Sequence, residues 1–249
     1  MSNLILDIGN TRMKAAVMDG GEVQEVCILD GDARAKIAEL TERYAVGRAI
    51  ASVVGREPEW DKILPVEVRN HLHRLSYRSL LPISIDYETP ETLGMDRVAA
   101  VVGARQLCSE GPLVVVDAGS CITVDFLDAK DCYRGGAILP GIAMRLRALK
   151  EFTAALPLVE LSDSEWRGES TSPLLGRSTR ASIVSGVLNA SVFEIQGFIE
   201  AYKKENPSVK LFLTGGNAEF FAKQLFFPNF ANSSLMYIGL NKILEMNNV

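Results

Sequence analysis

The stretch LILDIGNTRMKAAV, residues 4–17, places a polar break between two apolar runs. Residues 4–8 predict a buried strand and residues 12–18 a second strand, so the break at Asp7-Ile8-Gly9-Asn10-Thr11 joins them. Asp, Gly and Asn are residues that tight turns favour. The same residues also suit a loop whose backbone N–H groups hold a phosphate. The stretch by itself leaves both interpretations open.

A second copy of the pattern begins further along the chain, where VVVDAGS (114–120) aligns with LILDIGN (4–10) at an offset of 110 residues. Each copy predicts a strand, an Asp-x-Gly turn, two further strands and a helix. A repeat of this length is too long for a solenoid and indicates two related α/β domains. The turn-forming residues 109–112 mark the join. We therefore expect an N-terminal domain at 1–110 and a C-terminal domain at 111–249.

The repeated turn offers a specific chemistry. A carboxylate, Asp7 or Asp117, stands at the end of a buried strand, and a glycine two residues later lets the backbone approach a ligand. A carboxylate beside a polyphosphate is repulsive unless a divalent cation lies between them, and Mg²⁺ prefers one or two carboxylates together with phosphate oxygens. Two such turns in matching positions favour nucleotide binding over a plain structural role.

A third glycine-containing loop, LTGGNA at 213–218, follows a predicted strand at 210–213. Paired glycines between a strand and a helix allow a ligand to approach the helix N-terminus. The chain has neither a GxxxxGK[ST] loop nor a GxGxxG loop opening a helix, so neither a Walker nor a dinucleotide-binding site is predicted. GGAILPG at 135–141 is also typical of a plain strand-to-helix corner.

Composition limits the class of function. The net charge of −5 over 249 residues disfavours a nucleic-acid or anionic-membrane partner, which a basic surface would attract. No apolar run approaches the ~18 residues of a membrane helix, and the N-terminus does not resemble a signal peptide. The four cysteines form no CxxC pair, which predicts reduced thiols and a cytoplasmic protein. The two histidines, His71 and His73, lie at the end of a helix predicted at 60–72 and do not indicate a catalytic or zinc-binding role.

Several motifs together carry a family resemblance. The chain resembles the acetate and sugar kinase, Hsp70 and actin superfamily, and more specifically the type III pantothenate kinases. The matching motifs, in the family's order, are DIGNT (7–11), YETPETLGMDR (87–97), VVDAGS (115–120), GGAILPG (135–141), GRSTRASIVSG (176–186) and TGGNA (214–218). This resemblance implies an α/β fold of two ribonuclease-H-like domains, as in the actin-like ATPases, with a nucleotide cleft between them.

The resemblance also implies an activity, which is the transfer of phosphate from ATP to the primary hydroxyl of pantothenate, giving 4′-phosphopantothenate. It implies Mg²⁺, a monovalent cation (K⁺ or NH₄⁺), and a homodimer with the pantothenate pocket near the dimer interface. Two departures from the family pattern are Ser120, where Thr is usual, and Cys121, where Ala is common. The hydroxyl is retained at position 120, so a phosphate contact is still expected.

The roles implied for individual residues fall into three groups. Asp96 is the expected general base, Asp7 organises Mg²⁺ through water, and Asp117 binds the monovalent cation. The residues expected to bind ATP are Asp7, Ile8, Gly9, Asn10, Thr11, Arg12, Met13, Lys14 and Ser120. The residues expected to bind pantothenate are Tyr87, Gly94, Met95, Asp96, Arg97 and Thr179. The TGG loop is expected to lie against the adenosine.

A carboxylate is a weak base for an alcohol, but phosphoryl transfer tolerates this because its transition state is loose. Arg97 suits a substrate carboxylate, which its planar guanidinium matches with two hydrogen bonds. Without the other motifs, Asp96 and Arg97 would be read as an ion pair at a helix start. Two alternatives remain open at this point: a non-catalytic nucleotide-binding regulator, and another enzyme of the same fold, such as a sugar or acetate kinase or a polyphosphate phosphatase. The presence of Asp7, Asp96 and Asp117 disfavours the regulator.

Overall fold

The computed structural model describes residues 2–9, 11–170 and 172–247. The chain divides into two compact units. The first comprises Met1–Glu110, Asp131–Arg134 and Ser234–Val249, and the second comprises Gly111–Lys130 and Gly135–Ser233. The break after Glu110 falls where the turn-forming residues of the sequence mark a join.

The strands and helices follow one another in a mixed α/β order, with a 3-10 turn at Pro90–Thr92. In chain order they are β1 (Ser2–Ile8), β2 (Met13–Asp19), β3 (Glu22–Ile28), α1 (Ala33–Tyr44), β4 (Val46–Val53), α2 (Trp60–Ile63), α3 (Val66–Arg69), β5 (Leu72–Arg74), β6 (Ser84–Ile85), α4 (Met95–Leu107), β7 (Leu113–Ala118), β8 (Cys121–Leu127), β9 (Cys132–Pro140), α5 (Ile142–Glu151), α6 (Asp163–Trp166), α7 (Thr179–Glu205), β10 (Lys210–Thr214), α8 (Ala218–Gln224), β11 (Asn229–Ala231) and α9 (Leu235–Met246).

The first unit is built on a five-stranded sheet in the order β3-β2-β1-β4-β5. β1 pairs antiparallel with β2 and parallel with β4. Alternate residues of β1 point to opposite faces of the sheet. Leu4, Leu6 and Ile8 share one buried cluster with Ile37 of α1. On the opposite face, Asn3 donates a hydrogen bond to Asn241 of α9 at 2.7 Å. Asp7 therefore lies on the face that carries α9.

The second unit has a sheet in the order β11-β10-β7-β8-β9. β7 pairs antiparallel with β8 and parallel with β10, which places the ends of β7 and β10 side by side. In the described part of the chain one helix, α7, is long and apolar enough to cross a membrane by length and composition alone. Its residues Leu188 and Ile195 are buried in the core of this unit, as in the core helix of a soluble protein.

Two expectations from the sequence are wrong in detail. The helix predicted at 60–72 is instead α2, α3 and β5, because Pro65 disfavours helical backbone at the residue before it, and Leu64 is extended with ψ 137°. His73 consequently lies in a strand, where its Nε2 is 2.8 Å from Ser79 Oγ and burial lowers its pKa.

The second difference concerns the end of the chain. The sequence assigns all of 111–249 to the second domain, whereas Ser234–Val249 belong to the first unit. Two glycines allow α9 to contact α4 through their backbones. A Cβ at Gly239 would lie 1.8 Å from the carbonyl oxygen of Ala99, and a Cβ at Gly103 would lie 1.8 Å from that of Leu235. Such close packing of two helices that are distant in sequence is not visible in a local pattern.

Candidate active site

The first Asp-Gly turn closes the hairpin between β1 and β2. The N–H of Gly9 donates to the carbonyl of Arg12 at 3.1 Å, and Asp7 pairs with Lys14 across the two strands. Thr11 and Arg12 are exposed at the tip. Asn10, which the sequence also assigns to this loop, lies outside the described residues. The hairpin turn predicted from the sequence is therefore present, with polar groups available at its tip.

Two residues of the predicted ATP-binding set have their side chains in the core rather than at the tip. Ile8 is buried in the cluster of the first unit, and Met13 packs against the same cluster. Contacts of these two residues with a phosphate are consequently limited to their backbone atoms. Lys14, also in the predicted set, is a partly buried polar residue of the same hairpin.

The carboxyl of Asp7 has a pKa above its usual value. Burial raises the pKa of its carboxyl from 3.8 to about 6. The positive charge of Lys14 opposes this rise, and the negative charge of Asp96 adds to it. Burial is thus the main cause of the shift, and the charge of Asp96 on α4 adds to it.

Asp96 lies in the first turn of α4, where the helix dipole favours a negative charge. Its Oδ1 accepts a hydrogen bond from the N–H of Arg97 at 2.9 Å. Gly94 immediately precedes the helix, and a Cβ at this position would lie 2.7 Å from Asp96 Oδ1. A glycine is therefore required here for the carboxylate to keep its position. Met95, the first residue of the helix, is partly buried.

Arg97 and two tyrosines form the wall beside Asp96. Arg97 is 6% exposed, and its guanidinium carbon lies 6.0 Å from the centre of the Tyr133 ring. The ring of Tyr87 lies 6.3 Å from the same ring at an interplanar angle of 43°. Tyr133 thus lies near both Arg97 and Tyr87, two of the residues that the sequence predicts to bind pantothenate. The sequence analysis missed Tyr133 because a tyrosine within an apolar strand is equally typical of a core.

The second Asp-Gly turn joins β7 to β8 in the second unit. The N–H of Gly119 donates to the carbonyl of Cys121 at 2.9 Å, which closes a turn shorter than the first. Ser120 is exposed at its tip. Asp117 pairs with Thr123 on β8 and with Thr214 on β10. The carboxylate therefore lies where two neighbouring strands end.

Two further glycine loops of the second unit pack against this turn. Gly215, with φ +88°, lies so close that a Cβ would be 2.3 Å from Asp117 Oδ1. A Cβ at Gly141 would lie 2.4 Å from the carbonyl oxygen of Ser120. GGAILPG thus connects β9 to α5, and its last residue, Gly141, packs against the backbone of the second turn. Within this unit, the motifs DAGS, ILPG and TGGN meet at one place.

Thr179 begins α7 and is exposed. It lines a groove of about 880 Å³ between α5 and α7 in the second unit. The groove is mostly apolar and includes Phe152 and Ile183. Its polar edge is Arg145, which forms an ion pair with Glu194 at 2.5 Å.

Comparison with known proteins gives a consistent result. The family model described as type III pantothenate kinase matches residues 3–201. Similar proteins include the type III pantothenate kinase of Cytophaga hutchinsonii, 38% identical over 98% of this chain and 99% of that protein. The type III pantothenate kinase of Phocaeicola vulgatus is 40% identical, with 98% of each chain covered.

Solved structures share the fold at low sequence identity. Component A of the (R)-2-hydroxyglutaryl-CoA dehydratase of Acidaminococcus fermentans has a TM-score of 0.56 at 12% identity, covering 99% of this chain and 96% of that one. The activator of the 2-hydroxyisocaproyl-CoA dehydratase of Clostridium difficile, solved with bound ADPNP, has a TM-score of 0.54 at 12% identity, covering 99% and 94%. Together with the two sheets and the mixed order of strands and helices, these similarities confirm the predicted actin-like ATPase fold.

Proposed function

We propose a residue-level mechanism from the premise that this chain belongs to the type III pantothenate kinase family. The chain is a kinase that uses ATP to phosphorylate pantothenate in the synthesis of coenzyme A. The observation that carries the mechanism is the grouping of Asp96 with Arg97 and Tyr87 at the start of α4.

Asp96 is proposed as the group that receives the proton of the substrate. The primary hydroxyl of pantothenate attacks the γ-phosphorus of ATP, the new O–P bond forms, and the bond from that phosphorus to the β–γ bridging oxygen breaks. ADP leaves, and the hydroxyl proton passes to Asp96. The transfer to a carboxylate occurs late, because a loose transition state needs little deprotonation of the nucleophile. The space kept open by Gly94 lets the carboxylate occupy this position.

Pantothenate also carries a carboxylate, and Arg97 is proposed to bind it. The guanidinium carbon lies 6.0 Å from the centre of the Tyr133 ring, and this contact favours an ordered guanidinium. Tyr87, Gly94 and Met95 are proposed to complete this side of the pocket. Thr179 is proposed to bind pantothenate through its hydroxyl.

The first turn is proposed to bind the ATP phosphates through the backbone of residues 7–13 and the ammonium of Lys14. The fit to Mg²⁺ rests on Asp7, whose buried carboxyl is costly to ionise and whose charge a cation would stabilise. Among the described residues, no cluster of three or more potential metal ligands exists, so phosphate and water oxygens would complete the coordination. Bound Mg²⁺ would neutralise charge that develops on the phosphates. Asp7 would hold it through water.

The second turn is proposed to bind phosphate through Ser120 and a monovalent cation, K⁺ or NH₄⁺, through Asp117. The cation has room beside Asp117 because Gly119 and Gly215 carry no side chains. A side chain at position 215 would enter the space beside Asp117 Oδ1. The TGG loop is proposed to lie against adenosine.

A homodimer is proposed to form through the exposed apolar face of α5 and α7. Phe152 is 84% exposed and Phe193 is 54% exposed, which is unusual for large apolar side chains in a monomer. A Cβ at Gly186 or Gly197 of α7 would meet no atom within 4 Å. The open space at these glycines allows another helix to approach closely. We expect a cytoplasmic enzyme without nucleic-acid or membrane partners, consistent with its net charge of −5.

The function is tested with purified protein, ATP and pantothenate in buffers that differ only in monovalent cation. We expect mass spectrometry to detect 4′-phosphopantothenate, with much faster formation in K⁺ or NH₄⁺ than in Na⁺. The Asp117→Asn variant should lose most of this difference. Absence of product with folded protein in every salt would contradict the activity, and equal rates in K⁺ and Na⁺ would contradict the cation site alone. Light scattering of the wild type and of Phe193→Glu tests the dimer separately, with a monomeric variant expected.

A further inference from the structure

The side chain of Arg145 links α5 to the end of β9 and to α7, all within the second unit. Its Nε donates a hydrogen bond to the carbonyl of Pro140 at 2.8 Å. Its two terminal nitrogens donate to the two carboxylate oxygens of Glu194, at 3.0 and 2.5 Å. Because each of the three guanidinium nitrogens donates to one of these partners, the planar group is fixed in a single orientation.

The residue after Pro140 packs directly against the second turn. The N–H of Gly141 donates to the carbonyl of Ser120 at 3.2 Å. A Cβ at Gly141 would lie 2.4 Å from that oxygen and 2.6 Å from the carbonyl oxygen of Gly119. The corner at 140–141 is therefore in contact with two consecutive peptide groups of the turn, and a shift of the corner would displace both.

This corner begins α5 without a capping side chain. Gly141 is the N-cap residue, and its approach to Ser120 leaves no room for the Ser, Thr, Asp or Asn that commonly caps a helix. The N–H of Arg145 donates to the carbonyl of Gly141 at 3.0 Å, while its side chain binds that of Pro140. Arg145 thus binds both carbonyl groups of the corner. The helix dipole disfavours a positive charge near a helix N-terminus, so the helix alone does not account for this arginine.

The carbonyl groups of the second turn determine where its N–H groups point. A trans peptide is planar, so the N–H that follows a carbonyl points in the opposite direction. The carbonyl of Ser120 points to Gly141, and the N–H of Cys121 therefore points away from the corner. Backbone N–H groups that point out of a turn can bind an anion.

We propose that Arg145 is a positioning residue for nucleotide binding, because it holds the corner at 140–141 against the second turn. The turn then presents the Ser120 hydroxyl and its own N–H groups to the ATP phosphates. Glu194 orients the guanidinium of Arg145 and balances its charge. Both side chains act through the corner rather than through contact with the nucleotide. The inference rests on the phosphate-binding role of Ser120 proposed above.

The position of the pair requires an experiment that separates three effects. Arg145 also lines the groove that contains Thr179, which is proposed to bind pantothenate. Glu194 follows Phe193, which belongs to the face proposed for the dimer. Calorimetry therefore measures the Kd of MgADP, steady-state kinetics measures KM for each substrate, and light scattering measures the mass of each variant.

The test compares the wild type with Arg145→Lys, Glu194→Gln and the double variant of both. Lysine keeps the positive charge, but its single ammonium cannot reproduce the planar set of donors that binds Pro140 and Glu194 together. Glutamine keeps the shape of the side chain at position 194 and removes its charge. Ser120→Ala tests the role of the turn itself.

Arg180→Lys is the matched control. The guanidinium of Arg180 donates to both carboxylate oxygens of Glu165, at 3.2 and 2.8 Å, and to the carbonyl of Glu160 at 3.1 Å. Its bonding resembles that of Arg145, but its partners belong to α6 and to the residues before it. The control thus loses the same kind of interactions without a change at the corner.

We expect Arg145→Lys and Glu194→Gln each to weaken MgADP binding roughly fivefold, which is the effect of about one lost hydrogen bond. KM for MgATP should rise by a similar factor, whereas KM for pantothenate and the mass in solution should stay as in the wild type. The double variant should bind MgADP no more weakly than the weaker single variant, because the two residues act as one unit. Arg180→Lys should leave MgADP binding unchanged.

Unchanged MgADP binding in Arg145→Lys, together with weaker binding in Ser120→Ala, would overturn the inference and leave the role of Ser120 standing. Unchanged binding in Ser120→Ala would remove that role first, and the inference with it. A rise in KM for pantothenate alone would assign Arg145 to the groove instead. Weaker MgADP binding that accompanies a change in mass would assign the pair to the dimer, and either result would overturn the inference.

Discussion

Replacing Asp7 by asparagine should make the protein more stable while it stops the reaction. Burial and the charge of Asp96 raise the pKa of the Asp7 carboxyl from 3.8 to about 6. The folded protein thus keeps this proton to a higher pH than the unfolded chain, so its stability falls as pH rises from about 4 to 6. At about 1.36 kcal/mol per pH unit, the difference between 3.8 and about 6 corresponds to about 3 kcal/mol. This destabilisation is fully present above pH 6 and is almost absent at pH 4.

Asp7→Asn removes the ionisable group and keeps the shape of the side chain. We expect the variant to be more stable by up to about 3 kcal/mol at pH 8 and by less than about 1 kcal/mol at pH 4. For a chain of this size, about 3 kcal/mol corresponds to a rise in Tm of roughly 6–12 °C. Thermal unfolding followed by circular dichroism, without nucleotide and at several pH values between 4 and 8, measures both the size and the pH dependence.

The control is Asp30→Asn, which removes an exposed carboxylate and changes the net charge equally. Its effect on Tm should be small at every pH. A stability gain for Asp7→Asn that is the same at pH 4 and pH 8 would refute the reasoning, because only ionisation of a buried carboxyl depends on pH in this way. A loss of stability at pH 8 would show that the attraction to Lys14 exceeds the cost of burial.

Three further predictions concern single substitutions at Asp96, Gly215 and Gly239. Asp96→Asn should lower kcat by roughly 10²–10⁴ while leaving ADP affinity nearly unchanged, as steady-state kinetics and calorimetry can show. Gly215→Ala should reduce both stability and activation by K⁺, because its Cβ would lie 2.3 Å from Asp117 Oδ1, whereas Gly216→Ala, with nothing within 4 Å, should behave like wild type. Gly239→Ala should lower Tm strongly or prevent soluble expression, because its Cβ would lie 1.8 Å from a backbone carbonyl of the facing helix; a wild-type Tm would contradict the close helix contact.

The local features of this protein follow from residues that are close together in its sequence. Asp-x-Gly after an apolar run specifies a turn between two strands, and the turns at Asp7 and Asp117 lie where the pattern placed them. The start of α4 at Met95 and of α7 at Thr179 likewise follows from residues close by in the chain. The motifs that indicate the family are of the same kind, since each is a short run whose chemistry is visible without its surroundings.

Other features depend on residues that are distant in sequence, and these became visible with the tertiary structure. The raised pKa of Asp7 requires burial beneath other elements and the charge of Asp96 from another helix. Tyr133 lies near Arg97 because Asp131–Arg134, which include the start of β9, belong to the first unit. Burial, register and helix packing arise from contacts between distant parts of the chain, whereas turns and helix starts depend on neighbouring residues.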